Sequence, residues 1–294
     1  MMKYWETIIN GYSGYTNYLI HEILHPSWHN YFYWLIGISL FFWILEIVFP
    51  WRKNQGVIRK DFWLDVFYMF FNFFLFSLIG YNALSNVFSE AFNDLMYAAF
   101  GWKNLVAISV QSLPVWVQLG ILFVLRDFIQ WNVHRLLHRS PWLWQFHKVH
   151  HSVEEMGFAA HLRFHWMETI VYRTIEYIPL GMIGFGIQDF ILVYLFTLAV
   201  GHFNHSNLRV PLGPLKYIFN NPQMHIWHHA EHIPKPYGVN FGITLSAWDY
   251  IFGTDYIPRS GRDETLGFPY LQQFPKTFFQ QFIYPFFKTK KYEL

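Results

Sequence analysis

The chain has 294 residues, of which 53% are hydrophobic, 22% are aromatic and 14% are charged, and its formal net charge is +2. Soluble domains carry about 25% charged residues, so this chain has too little polar surface for a water-facing globule, and residence in a membrane is the simplest explanation. The small net charge argues against nucleic acid as a partner. The sequence contains no cysteine, which excludes disulfides, cysteine-ligated zinc, iron–sulfur clusters and thiol catalysis. Any metal is therefore held by histidine or carboxylate.

The first predicted membrane span covers residues 31–49 (YFYWLIGISLFFWILEIVF), because about 20 apolar residues are enough to cross a bilayer as a helix. Glu46 lies near the inner end of this span, where it can reach the lipid headgroups or pair with Arg52. A second span, rich in phenylalanine and leucine, covers residues 62–79. These two spans define an N-terminal transmembrane region, residues 1–112.

Further apolar segments follow this region. A third span starts near Leu113 and leads directly into a cluster of histidines. Residues 170–200 are again apolar but are interrupted by Pro179 and a group of glycines, which predicts a helical hairpin. We therefore predict an all-α integral membrane protein with about four transmembrane helices or helical hairpins. Residues 261–294 mix Phe, Tyr and Lys, which is typical of an interfacial tail.

The basic residues predict how the chain is oriented, because positively charged loops stay in the cytoplasm. The loop at 52–60 is basic whereas the segment 81–112 is not, so the first loop faces inward. Two further crossings return the end of the third span, with Arg135, Arg139 and Lys148, to the same side. The histidine-rich region is therefore predicted to form a helical cap on the cytoplasmic face.

Histidine is concentrated in two short stretches. The stretch RDFIQWNVHRLLHRSPWLWQFHKVHHS at 126–152 holds five histidines, and MHIWHH at 224–229 holds three. Residues at i, i+3 and i+4 share one face of a helix, so each stretch aims several imidazoles at one point. Ser140-Pro141 and Asn221-Pro222 are helix-start signals. Helices that begin at such breaks can converge from different directions.

These histidines predict a metal centre. A single histidine of this kind is more often a hydrogen-bonded or interfacial residue than a ligand, and an isolated HxxxH is weak support. Two copies of H-x-x-H-H with a nearby HxxxH are difficult to explain as a solvated face, and histidine near a membrane is costly unless it is paired or ligating. Eight imidazoles exceed the four-coordinate requirement of one zinc ion. They suit two metal ions, for which imidazole accepts zinc, copper, iron or nickel.

Four segments together resemble the fatty acid hydroxylase/sterol desaturase superfamily. They are HRLLHRSPWLWQFHKVHHS, LRFHWME, HSNLRVPLGPLKYIFNNPQMHIWHH and VNFGITLSAWDYIFGT, and they fall within residues 126–255. The resemblance implies a fatty acid hydroxylase-like catalytic domain at 113–260 and an integral membrane, non-haem di-iron enzyme. Such an enzyme uses O2 and two external electrons to hydroxylate or desaturate a lipid.

The metal ligands that the resemblance implies are all histidines. They are His134, His138, His147, His150, His151, His205, His225, His228 and His229. Trp166 stands where many relatives have proline, so His165 beside it is interpreted as a supporting residue rather than a ligand.

Asp127 is a second supporting candidate. It lies seven residues before His134, on the same helical face. There it can accept a hydrogen bond from the second nitrogen of a ligand and fix the tautomer. It can equally pair with Arg126 or Arg135.

The remaining polar residues near the clusters have less specific interpretations. Asn240 and Asp249, in the segment NFGITLSAWD, either support the ligands or cap a turn. His161 and His202 are interpreted as supporting residues. Three glutamates are interpreted as solvated or helix-start charges, namely Glu154, Glu155 and Glu168.

A formal match to the zinc-protease motif HExxH occurs at His21–His25 (HEILH). Pro26 follows at once, so the helix is short, and the predicted topology places this segment on the opposite face from the other clusters. We interpret the match as a chance occurrence.

Three functions are compatible with the pattern. The leading prediction is a membrane-bound lipid hydroxylase or desaturase with two iron ions, for which zinc is an alternative ion, and with O2 as co-substrate. The chain carries no flavin or nicotinamide motif, so electrons come from a separate ferredoxin or cytochrome b5 type donor that docks on the cytoplasmic basic surface. The alternative is a membrane zinc hydrolase of a lipid ester or amide, with Glu154 or Glu231 as general base. A metal transporter or sensor ranks last, because its ligands would spread through the membrane depth.

Overall fold

The computed structural model describes residues 2–28, 30–102, 106, 109–185 and 187–286. In these ranges the regular structure is helical, and the only β pairing is two isolated bridges. The predicted all-α class is therefore confirmed.

The N-terminal region consists of four helices joined by short connections. They are α1 (Met2–Leu24), α2 (Tyr31–Val48), α3 (Phe62–Phe70) and α4 (Asn82–Phe100). Two π-helical turns, Phe71–Leu75 and Ser77–Tyr81, connect α3 to α4, and the chain kinks at Gly80, whose φ of 178° and ψ of −21° are not helical. The predicted end of the second span near residue 79 stays a prediction, and the helical segment itself continues beyond the kink to Phe100. Its polar half is stabilised by packing against α1, where Lys3 forms an ion pair with Asp94.

Two of the described helices are long and apolar enough to cross a bilayer, α2 and the kinked helix Phe62–Phe100. This composition supports a helical membrane protein. The helix at the predicted third span carries Arg126 and Asp127 in its middle. The total of four spans stays a prediction.

The histidine-rich region contains the other α-helices, except the last one, which lies in the predicted tail. They are α5 (Val115–Arg139), α6 (Pro141–His151), α7 (Trp166–Met182), α8 (Ile187–His205), α9 (Pro222–His228), α10 (Ala247–Ile251) and, in the tail, α11 (Phe278–Ile283). Both predicted helix starts are confirmed. The Ser140 side chain accepts a hydrogen bond from the backbone N–H of Leu143 at the start of α6, and Asn221 Oδ1 accepts one from Met224 N at the start of α9.

The predicted hairpin at 170–200 is formed by α7 and α8. Pro179 does not interrupt it, because α7 continues through this residue to Met182. The chain turns instead at 183–185, where Gly184 adopts φ +70°, a conformation that glycine tolerates best. Both helices pack against α5, so α5 is the central helix of the histidine-rich region.

Glu46 connects the first membrane helix to this region. Its carboxylate accepts hydrogen bonds from the backbone N–H of Phe158 at 2.8 Å and of Asn207 at 2.7 Å. The predicted pairing with Arg52 is wrong, since the Arg52 guanidinium instead donates to the carbonyl of Arg262. The carboxylate thus binds two backbone N–H groups from distant segments and not the arginine six residues along the chain.

The predicted interfacial tail, residues 261–294, is described up to residue 286. Within it, Phe274 and Tyr284 pack with Val149 of α6, and the Tyr284 hydroxyl donates to Gln145 Oε1 at 2.7 Å. This segment thus covers the outer side of α6. Its position relative to a bilayer stays a prediction, and residues 287–294 lie outside the described part of the chain.

Candidate metal centre

The histidines converge in two groups, and within each group the ligand-type atoms all lie within 4.8 Å of one another. The first group consists of His134, His138, His147, His151 and His228. The second group consists of His150, His205, His225 and His229. Together the two groups contain all nine histidines that were predicted as ligands, and His138 is the only one that is not fully buried.

The two copies of H-x-x-H-H are divided between the groups in opposite ways. On α6, His147 and His151 join the first group and His150 joins the second; at α9, His225 and His229 join the second and His228 joins the first. Successive residues of a helix are rotated by about 100°. The i and i+4 positions therefore point almost the same way, and the i+3 position points to the neighbouring site.

The groups share a wall of stacked rings. The ring centroids of His151 and His229 are 4.4 Å apart, and those of His147 and His150 are 5.3 Å apart. Neighbouring sites of this kind suit a pair of ions, because each motif helix contributes to both.

The outer ring nitrogens of several histidines donate to backbone carbonyls, which fixes their tautomers. The Nδ1 atoms of His134 and His228 lie 2.8 Å from the carbonyl oxygens of Phe241 and Val239. A carbonyl can only accept, so each of these Nδ1 atoms carries the proton. The Nε2 lone pair of each ring is consequently directed into its group.

The second group provides a direct test of whether a metal fits. His150 Nδ1 donates to the Arg163 carbonyl at 3.2 Å, and His205 Nδ1 donates to the Gly201 carbonyl at 2.8 Å. Burial, followed by the neighbouring His205, holds the pKa of His150 well below its usual range, so this ring is neutral. The two Nε2 atoms then face each other at 3.3 Å with lone pairs on both sides. Such a contact is repulsive until a cation binds, and these residues therefore fit a metal ion.

The first group contains a second indication that a metal ion fits. His228 Nε2 is buried and has no hydrogen-bond partner among the described residues, although buried polar atoms are normally satisfied. Because its Nδ1 already donates to Val239, the unsatisfied Nε2 is an acceptor. An inward-facing imidazole lone pair without a donor is what a bound cation requires.

Glu168 is a supporting residue whose role the sequence interpretation missed. Its Oε2 lies 2.7 Å from His147 Nδ1, while its Oε1 accepts the backbone N–H of His165 at 3.1 Å. Burial raises the pKa of Glu168 to about 8, against the lowering effect of the His165 N–H. The helix-start interpretation is confirmed, since His165 and Glu168 form a capping box at α7. The same carboxylate also orients a predicted ligand, and the H-x-x-E spacing at the helix start was the available signal.

Glu168→Gln is expected to lower metal affinity by about 10- to 100-fold, the usual effect of losing such a ligand-orienting partner. Glutamine has one acceptor oxygen, so it can serve the His165 N–H or His147 Nδ1 but not both. Metal content after dialysis against increasing chelator measures the change. Glu154→Gln is the matched control, because Glu154 lies at the surface in an ion pair with Lys60. Equal chelator sensitivity of the two variants would contradict this role of Glu168.

Asp249 holds the loop that contacts His134. Its buried carboxylate accepts hydrogen bonds from Phe241 N at 2.9 Å, Gly242 N at 2.8 Å and the Trp131 indole at 3.0 Å. Burial raises the pKa of Asp249, although these donors and Thr254 lower it. The carboxylate therefore acts on a ligand indirectly, through the Phe241 carbonyl.

Asp127 and Asn240 also contact backbone rather than imidazole. Asp127 accepts from the backbone N–H groups of Thr244 and Leu245 at 3.1 and 3.2 Å. Asn240, which adopts φ +53°, donates its amide to the Met224 carbonyl at the start of α9. Both residues position the segment that carries the acceptor carbonyls, and neither the Arg126 nor the Arg135 pairing of Asp127 is formed.

Three further histidines, His161, His165 and His202, lie near the two groups. His165 caps α7 and its Nε2 contacts the Phe282 carbonyl at 2.9 Å. His161 Nδ1 lies 3.0 Å from His202 Nδ1, and the His161 ring centroid is 5.2 Å from that of His205. In the HExxH match, Glu22 is buried and contacts the backbone N–H of Phe32, away from the two groups.

A cavity of about 150 Å³ opens onto both groups. Its walls come mainly from α5, α7 and α8, with aromatic and aliphatic side chains such as Phe73, Tyr194 and Leu198 opposite the histidines. A largely apolar chamber that ends on a set of imidazoles can admit an apolar group and keep bulk water away from it.

Comparison with known proteins identifies the region that carries these features. The family model described as fatty acid hydroxylase matches residues 119–254. The chain is 30% identical over 181 residues to the ornithine lipid hydroxylase OlsE of Rhizobium tropici, covering 62% of this chain and 54% of that protein. It is 32% identical over 168 residues to the alkylglycerol monooxygenase of Xenopus tropicalis, covering 54% of this chain and 34% of that protein.

A third relative is methylsterol monooxygenase 1 of Rattus norvegicus, 32% identical over 142 residues, which cover 45% of this chain and 44% of that protein. The chain thus spans about half or less of the length of these curated relatives. No solved structure matches it. The matched segment contains all nine converging histidines, and residues 119–254 of this chain belong to the fatty acid hydroxylase family.

Proposed function

We propose that this protein is a membrane-bound, O2-dependent lipid hydroxylase or desaturase whose nine converging histidines hold two iron ions, one in each group. The proposal is supported by relatives named as a lipid hydroxylase and as monooxygenases. It rests above all on one observation: two adjacent all-imidazole groups face a common, largely apolar cavity. When bound, the iron pair supplies the activation of O2 that oxidation of an unactivated C–H bond requires.

The chain's own residues have three tasks in this reaction. The histidines hold the ions, and the carbonyls of Phe241, Val239 and Arg163 keep their rings in one tautomer and orientation. The cavity walls place a lipid C–H bond beside the histidines and exclude water. A nucleophilic side chain is not required, because the cofactor carries the chemistry and the protein supplies position and electrostatics.

The cellular setting is part of the same proposal. Residues 1–112 anchor the protein, residues 113–260 form the catalytic domain on the cytoplasmic side, and the tail lies at the membrane interface. A separate ferredoxin or cytochrome b5 type protein supplies electrons. Two basic residues of the predicted cytoplasmic surface are not accessible to this donor. Arg59 is buried in an ion pair with Asp65, and Lys148 is also buried. Arg139, which is exposed, is a better candidate.

Labelled oxygen tests the activity. Cells that express the full chain are supplied with isotopically labelled O2, and their lipids are analysed by mass spectrometry beside a strain without the protein. We expect a lipid that gains one labelled oxygen atom or loses two hydrogens, only when O2 is present. A product that also forms without O2, from protein that holds stoichiometric zinc, would replace oxidation with hydrolysis of a lipid ester or amide.

A further inference from the structure

The cavity has a second polar layer at the end away from the histidines. The three helices α5, α7 and α8 each place two cavity-lining residues eight positions apart, one in each layer. These pairs are Arg126 with His134, Glu176 with Glu168, and Thr197 with His205. Eight residues of α-helix rise about 12 Å. The chamber is therefore roughly 12 Å long between the layers.

Four residues of the second layer form hydrogen bonds with one another. Arg126 Nε donates to Glu176 Oε1, and Arg126 Nη1 donates to Thr197 Oγ1 at 2.8 Å. Gln130 Nε2 donates to Glu176 Oε2 at 2.9 Å. All four side chains are buried. Because the charges of Arg126 and Glu176 neutralise each other, this cluster lines the chamber without adding net charge.

Arg173 adds an unbalanced charge to this end. It lines the same cavity, and its guanidinium lies 4.9 Å from the centre of the Tyr81 ring. Among the residues that the structure describes, no carboxylate forms an ion pair with it. The layer of Arg126, Arg173 and Glu176 thus carries a formal charge of +1. A partly buried cation without a counterion is costly, and an anionic ligand would offset that cost.

We propose that Arg173 anchors an anionic oxygen group of the lipid substrate, a phosphate ester or a carboxylate, and thereby selects the carbon that reaches the histidines. This inference rests on the proposed lipid oxidation and defines its substrate class as acidic lipids. An arginine suits both groups, because its planar guanidinium binds either anion through two parallel hydrogen bonds.

The position of Arg173 limits which carbon is oxidised. Arg173 follows Glu168, the partner of His147, by five residues, a rise of about 7.5 Å along α7. A cavity of about 150 Å³ is also small, since an engineered cavity of about this size holds benzene. Only a short piece of chain fits between the anchor and the histidines. Oxidation is therefore expected close to the acidic group and not at the far end of an acyl chain.

Lipid binding tests the anchor without relying on turnover. Full-length wild-type protein and the R173Q, R173K and R209Q variants are titrated in detergent with three palmitoyl probes: lysophosphatidic acid, palmitic acid and the uncharged monopalmitin. We expect wild type to bind at least one acid about 10-fold more tightly than monopalmitin, the size of one charge-assisted hydrogen bond. R173Q loses this preference and R173K retains part of it. R209Q retains it fully, because Arg209 is exposed and outside the cavity.

The two acid probes identify the source of the anion. Preference for lysophosphatidic acid indicates a phosphate lipid, and preference for palmitic acid indicates a carboxylate. Equal binding of all three probes by wild type overturns the anchor, whether or not R173Q folds. A second readout is the position of the oxygen in the labelled product, which is expected to move away from the acidic group in R173Q. Acid-selective binding without any O2-dependent product contradicts the proposed oxidation alone. If an O2-dependent product forms, but R173Q changes neither the position of its oxygen nor the preference for acidic probes, only the anchor is contradicted.

Discussion

Replacing His150 by alanine is expected to remove the metal of the second group and to lower lipid oxidation by more than about 100-fold. Losing a residue that only orients a ligand already costs about 10- to 100-fold in metal affinity or activity, and His150 is itself a predicted ligand. The change leaves three imidazoles in the second group and frees the Arg163 carbonyl and His205 Nε2 from their contacts with His150. Elemental analysis of purified protein measures the iron, and the labelled-oxygen assay measures activity.

The matched control is His232→Ala. His232 is exposed and follows the second histidine motif by three residues, so its removal should leave the iron content and the activity of the wild type unchanged. Iron retained in full by His150→Ala would show that this ring does not ligate, and the nine-histidine centre would then have to be revised.

Asp249→Ala is expected to destabilise the protein by more than about 3 kcal/mol, since each buried donor left without an acceptor costs about 1–3 kcal/mol. The fully buried carboxylate accepts four hydrogen bonds, from Trp131, Phe241, Gly242 and Thr254. Alanine also leaves a space that the loop cannot fill without moving. The expected readout is a clear drop in the thermal unfolding temperature of the detergent-solubilised protein, with loss of metal from the first group because the Phe241 carbonyl no longer orients His134.

Asp263→Ala is the control for this change. Asp263 is exposed and pairs only with the adjacent Arg262, and surface substitutions of this kind usually change stability by less than about 0.5 kcal/mol. If Asp249→Ala unfolded at the same temperature as Asp263→Ala, the loop would not depend on the carboxylate.

The local features of the site were accessible from sequence. The helix starts at Pro141 and Pro222 follow from residues that favour such starts, and the structure confirms both through their capping residues. The H-x-x-H-H spacing by itself places three imidazoles on one side of a helix. These inferences succeed because helix boundaries and helix faces depend on neighbours within about one turn of chain.

Contacts between distant segments were not accessible. Glu168 was interpreted as a solvated or helix-start charge, although it also contacts His147, 21 residues away. The backbone carbonyls that orient His134 and His228 come from residues 241 and 239, and a carbonyl leaves no mark in a sequence. The helical continuation from residue 79 to Phe100 was not predicted for the same reason, since α1 supplies the packing for α4 from the other end of the N-terminal region.

By itself, the sequence determined the class of the protein, the positions of its histidines and the helices that carry them, because composition and short-range spacing control these properties. Only the tertiary structure decided that the nine histidines divide into groups of five and four. The packing of α5, α7 and α8 also created the chamber between Arg173 and the histidines. The physical reason is that a helical repeat sets the direction in which a side chain leaves its own helix, whereas the packing of helices against one another decides which side chains meet.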